Sequence, residues 1–246
     1  LYTNTTGNNL VAVGYEALTA NTTASDNTAV GYAALRQNTT GNSNVGIGYA
    51  AGYNTTTGSA NVAIGLQALV SNTTASDNTA VGYQAMYTNT TGYNSVALGR
   101  KSLYANTTGL NNVSVGWNAL TANTTGSQNV AMGLQALTQN TTGINNTAIG
   151  HQAMYSATTV NGHVAVGRMA LYSNTSGLLN TALGYSAMYA NSSGDYNVAT
   201  GYTALTANTT GDYNAAYGAY ALQANTTASN NTAVGYQAGY SNQTGT

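Results

Sequence analysis

The chain has 246 residues, of which only 4% are charged, with four Lys/Arg against five Asp/Glu, and it contains no Pro, Cys or Phe. A net charge of −1 leaves no cluster of cations for nucleic acid or an anionic membrane surface, and without Cys the redox compartment cannot be read. Disorder is excluded by a 42% hydrophobic content with 20 Tyr, and no apolar run approaches the length of a membrane-spanning helix.

Residues 20–35 read ANTTASDNTAVGYAAL and residues 71–86 read SNTTASDNTAVGYQAM, which is the same phrase three repeats apart. In chain order the glycine of this phrase falls at Gly14, Gly31, Gly48, Gly65, Gly82, Gly99, Gly116, Gly133, Gly150, Gly167, Gly184, Gly201, Gly218 and Gly235, always 17 residues on. No unit carries an insertion or deletion. The chain therefore reads as one continuous repeat array over 1–246, and because Leu1 enters in mid-repeat, as a segment of a longer fibre.

Taking that glycine as position 0, Asn stands at −4 in eleven units (Leu10, Ser95 and His163 in the others), followed by Val or Thr at −3 (Ala215 excepted) and a small residue at −2. Position −1 is Val, Ile, Leu or Met, except for Thr200 and Tyr217. This run predicts a short strand ending at the glycine. After a Gly-Tyr corner, Ala at +3 (Ser102 once) and Leu or Met at +4 (Gly52 and Gly239 excepted) lead into Asn-Thr-Thr, which predicts a second strand. Gly or Ala with two variable residues closes the unit. Thr, Val, Asn and Gly are poor helix formers and 17 is not a heptad multiple, so the array predicts an all-β parallel β-solenoid, or β-roll. It would have about 14 coils of 17 residues and two short strands per coil. A lone coil buries too little to offset its ordering entropy, so the coils must stack, at about 4.8 Å each.

Each column has a structural and a functional reading. The glycine column either turns the chain with φ > 0 or admits backbone against backbone; a phosphate cradle would need a helix to follow, and none does. Asn27, Asn44, Asn61, Asn78, Asn112, Asn129, Asn146, Asn180, Asn197, Asn214 and Asn231, at −4, form an amide ladder or a binding row. Position +7 holds Asn4, Asn21, Asn38, Asn72, Asn89, Asn106, Asn123, Asn140, Asn174, Asn191, Asn208, Asn225 and Asn242, each with Thr or Ser two residues on. Asn54 does the same one place early, and Ala157 leaves its coil without such an Asn. These asparagines are either N-x-[ST] glycosylation acceptors or a structural ladder, with O-linked sugar on the threonines a further option. A sugar coat would keep a surface of so few charges soluble. Tyrosines at +1 (Tyr15, Tyr32, Tyr49, Tyr83, Tyr185, Tyr202, Tyr236) and +5 (Tyr2, Tyr53, Tyr87, Tyr104, Tyr155, Tyr172, Tyr189, Tyr240) form stacked rings or a carbohydrate-binding stripe. In the strand, −3 and −1 point one way and the small −2 residue the other. That small column either faces out, for another chain to approach, or in, as the core of a thin roll. His151 and His163 stand in different columns with no acid or thiol set around them, so neither a catalytic group, a cofactor nor a metal site is expected, and the chain does not read as an enzyme.

The phrases NTAVGYQA, NVAIGLQA (61–68) and NSVALGRKS (94–102) resemble the head repeats of trimeric autotransporter adhesins, and similar NTAVGYxAL arrays occur in tail-fibre-like proteins of phages and bacteria. The resemblance implies a left-handed parallel β-roll assembled as a homotrimer, at a bacterial surface or on a virion, with adhesion to host surfaces as its function. The chain's 17-residue unit and Asn-Thr-Thr column depart from the adhesin pattern. Together these observations lead to the expectation of a structural fibre shaft, extracellular, self-associating as a trimer or as an end-to-end or lateral filament, and glycosylated on the Asn-Thr-Thr column. An adhesive head is the first alternative and an ice-binding solenoid the second; for ice the pattern is Asn-x-Thr rather than Thr-x-Thr.

Overall fold

The computed structural model describes residues 1–243 and residue 245. The chain divides into two compact units, Leu1–Thr125 and Gly126–Thr246, and each is a parallel β-solenoid. The first carries β1 (Val11–Val13), β2 (Thr28–Val30), β3 (Val45–Ile47), β4 (Val62–Ile64), β5 (Thr79–Val81), β6 (Val96–Leu98) and β7 (Val113–Val115). The second carries β8 (Val130–Met132), β9 (Thr147–Ile149), β10 (Val164–Val166), β11 (Thr181–Leu183), β12 (Val198–Thr200), β13 (Ala215–Tyr217) and β14 (Thr232–Val234). Within each unit every strand pairs in parallel with the strand of the next repeat, and equivalent positions face each other: Val45 with Val62 and Ile47 with Ile64, or Thr181 with Val198 and Leu183 with Thr200. The division falls inside an Asn-Thr-Thr-Gly phrase that the repeat pattern crosses unchanged.

Each coil contains one strand, not two. The strand is three residues long because the glycine at its end takes φ between 124° and 141° and turns the chain out of the sheet. The stretch expected as a second strand is a pair of tight turns. In the second coil Ala34 N–H bonds Gly31 O at 3.5 Å and Asn38 N–H bonds Leu35 O at 3.2 Å. Positions +2 and +4 adopt left-handed backbone, as in Ala33 (φ 54°) and Leu35 (φ 47°). An extended strand would send neighbouring side chains to opposite faces. The left-handed residues instead turn both Ala34 and Leu35 inward, where both are buried. The stacking itself is as expected, since Leu35 N–H bonds Ala51 O (2.9 Å) and Gln37 N–H bonds Tyr53 O (3.0 Å) one coil on.

The core is thin. The small −2 column faces inward: Ala29, Ala80, Ala97 and Ala131 are fully buried against the +3 alanines and the Leu or Met of +4. Departures from the pattern compensate one another. Gly46 and Gly52 together make room for Leu35, whose side chain lies where a Cβ on either glycine would sit. Ser102 and Ser114 both replace core alanines and bond to each other at 2.7 Å, while Ser114 Oγ also donates to Ala119 O. No helix of the described residues is long and apolar enough to cross a membrane.

Candidate functional site

The glycine column is a close approach of backbone to backbone. A Cβ on Gly99 would lie 2.6 Å from the carbonyl oxygen of Gly116 and one on Gly48 2.6 Å from that of Gly65, at φ values that side chains rarely adopt. These glycines are a seam between coils, and nothing around them forms an anion cradle.

The −4 asparagines form a buried ladder. Asn27 Oδ1 accepts the Asn44 backbone N–H at 2.8 Å, and Asn27 Nδ2 donates to Gly41 O at 2.9 Å; Asn44 repeats both bonds one coil on. His163 takes one rung. Its Nδ1 accepts the Asn180 N–H at 3.0 Å and so stands in for the amide oxygen. The larger ring reaches toward Asn174, 3.2 Å from Nε2, where the neighbouring ladder has Ala157 in place of Asn. Burial pushes the His163 imidazole below its ordinary pKa, partly opposed by the Gly177 carbonyl and the charge of Asp195.

The +7 asparagines, the candidate glycosylation sites, are likewise inside for the most part. Asn21, Asn38, Asn72, Asn89, Asn106, Asn123, Asn140, Asn174, Asn191, Asn208 and Asn225 have no exposed surface. Nδ2, the atom that would carry an N-linked sugar, is spent on the ladder: Asn208 Nδ2 donates to Asn191 Oδ1 (2.7 Å) and to Gly211 O (2.9 Å). A glycan there requires the coil to open. Asn4 is exposed and Asn54 and Asn242 are half-buried; the Thr of the Asn242 phrase, Thr244, lies outside the described residues.

The tyrosines stack in runs, with ring centroids 5.3 and 5.0 Å apart through Tyr15, Tyr32 and Tyr49, and 5.3 and 5.0 Å apart through Tyr155, Tyr172 and Tyr189. Tyr196 and Tyr213 add a pair from another column. Stacking covers the ring faces and leaves edges and hydroxyls outward, so a sugar finds an open face only at the end of a run. All four cations of the sequence lie over rings of these ladders. Arg100 sits between Tyr83 and Trp117, 5.5 and 6.0 Å from their centroids, and Arg36 over Tyr53 also pairs with Glu16 at 2.7 Å. Burial in its stack pushes the middle ring hydroxyl, Tyr172, up from its ordinary pKa.

The outward sheet face is largely apolar, with Thr28, Thr79, Thr147, Thr181 and Thr232 in its −3 column. Its −1 column is exposed at Val13, Ile47, Leu98, Met132, Leu183 and Val234, and the +1 aromatics lie beside it. Among the described residues no three His, Cys, Asp or Glu side chains come together as metal ligands. A shallow open depression beside the first coil, lined by Leu1, Tyr2, Tyr15 and Glu16, brings together no set of catalytic groups. Comparison with protein-family models, with curated proteins and with solved structures finds no match.

Proposed function

We propose that the chain is a structural element of an extracellular fibre, a shaft on a cell surface or virion, and that its mechanism is mechanical rather than catalytic. One observation carries this reading: the polar side chains that point inward bond to the equivalent position one repeat away, at a sequence separation of 17, as Asn61 does to Asn44 and Asn191 to Asn174. Side chains committed to holding coil on coil are not available for chemistry, and their repetition stiffens each unit along its stacking direction.

The outer face is the feature that favours self-association. Columns −3, −1 and +1 of seven coils form a footprint of about 13 Å by 34 Å, roughly 450 Å² in one unit, at the strand and coil spacings of a sheet. It is mostly apolar, interrupted in the first unit by Thr28, Thr79 and Arg100, and is of the size of the apolar patches, about 300–600 Å², that are often functional on soluble proteins. A second copy covering this face, in a trimer or a lateral filament, removes it from water. Light scattering coupled to size exclusion tests the point. The wild-type chain is expected to run as an oligomer, and Val30→Lys with Val81→Lys, both on the outward face, to run as a folded monomer. A wild-type monomer at high concentration refutes association through this face, and absence of the chain from fibres in labelled electron micrographs of its source refutes the shaft.

A further inference from the structure

The Thr or Ser two residues after each +7 asparagine belongs to a column of its own. It begins Thr6, Thr23, Thr40, Thr57 and continues every seventeen residues to Thr227, with Ser at 176 and 193 as its only replacements. Every member is exposed. The column just before it behaves differently: Thr22 Oγ1 donates to Thr39 O (3.0 Å) and Thr39 Oγ1 to Thr56 O (3.0 Å), so those hydroxyls are used within the solenoid. No such bond is made by the hydroxyls of Thr23, Thr40, Thr57 or Thr74.

An exposed side chain without an internal duty is free to vary, and the exposed +12 column does: it runs Asp26, Ser43, Ala60, Asp77, Asn94. The hydroxyl column does not. Ser176 and Ser193 lose the methyl and keep the oxygen, so the hydroxyl rather than β-branching is retained. In the coil where Ala157 replaces the asparagine, Thr159 is still present, so the hydroxyl is not there to complete an Asn-linked acceptor.

From this we infer that the column is a row of O-glycosylation sites. A neutral substituent fits and a charged one does not. Phosphates on successive coils would set about −1.5 to −2 charges every 4.8 Å or so, and the four cations of the chain are already held over aromatic rings. Six-membered rings fit on successive coils elsewhere in the solenoid, as the tyrosine stacks at 5.0–5.3 Å in the +1 and +5 columns show. In the transfer, the threonine Oγ attacks the anomeric carbon of a nucleotide-activated sugar. The new C–O bond replaces the sugar–phosphate bond, the nucleoside diphosphate leaves, and the hydroxyl proton passes to a base of the transferase. A sheath of this kind would supply the hydration that a surface of 4% charged residues lacks. The inference does not depend on the fibre reading.

The test is mass spectrometry of the chain from its native source, with alkaline β-elimination to mark each substituted Thr or Ser as its dehydro product. Sugar masses are expected at this column on at least alternate coils, unaffected by enzymatic removal of N-linked glycans, with the preceding threonines and buried asparagines bare. Unmodified hydroxyls in this column, phosphate in place of sugar, or sugars confined to the preceding threonines or the asparagines overturn the assignment. A bare native chain that shows thermal hysteresis would assign the row to an ice lattice instead.

Discussion

Two glycines of the seam share their backbone strain but not their surroundings, which separates the two reasons for having glycine there. Gly99 has φ 126°, and a Cβ on it would lie 2.6 Å from Gly116 O and 2.8 Å from Gly116 C. Gly235 has φ 124° and nothing within 4 Å of where a Cβ would stand. Substitution by Ala at either position imposes the strain of an unfavourable φ, about 1–3 kcal/mol. At Gly99 the methyl must also push its coil away from the next one, to which it is held by the Gly116 N–H to Leu98 O bond of 2.8 Å. Backbone carbonyls cannot turn aside as a side chain would, so overpacking adds about 1–3 kcal/mol. Gly99→Ala should therefore cost about 2–6 kcal/mol, a large share of the ~5–15 kcal/mol that stabilises an ordinary domain. In this 246-residue chain Gly235→Ala should cost no more than about 3 kcal/mol. Urea unfolding followed by circular dichroism compares the two, and the single tryptophan, Trp117, reports on the first unit by fluorescence. Equal losses at the two positions, or a Gly99→Ala variant within 1 kcal/mol of wild type, would refute the coil-contact argument.

Other outcomes follow from the ladders. His163 has its pKa lowered by burial, so as pH falls the unfolded chain takes up the proton first. Stability is complete above the ordinary histidine value of about 6.5 and falls below it, by at most about 1.4 kcal/mol per pH unit, until the folded pKa is passed. Asp195 is the charged group that opposes this, and His163→Asn should flatten the pH dependence of the urea midpoint between pH 7 and 5. Asn208→Ala removes two donated bonds and takes the Asn208 Oδ1 acceptor from Asn225 Nδ2; a loss of about 2–4 kcal/mol in urea unfolding is expected, since each stranded buried polar group costs about 1–3 kcal/mol. Arg100→Ala should cost about 1 kcal/mol and shift Trp117 emission, whereas Arg100→Tyr, which restores a ring between Tyr83 and Trp117, should be close to neutral.

The repeat length, the parallel stacking and the asparagine ladder at −4 were legible because a solenoid writes its register directly into the sequence: an equivalent residue every 17 positions has an equivalent neighbour above and below. The turns at +2 and +4 were not. Glu16, Ala33, Leu18 and Leu35 give no local sign of left-handed backbone, which isolated residues of these types avoid. The conformation holds because it turns two successive side chains into the core and bonds each coil to the next.

The site readings divide along the same line. That Asn and Thr alternate in a fixed phrase is written in the chain, but a sequence cannot tell which of the two faces out. Only the stacked coils put Nδ2 of Asn208 inside a ladder, leave the hydroxyl two residues on, at Thr210, in solvent, and turn the small −2 column inward and the Val and Leu of −3 and −1 outward. Periodicity is a one-dimensional property, carried by spacing alone. Sidedness depends on how each backbone bond rotates once neighbouring coils supply its hydrogen-bond partners.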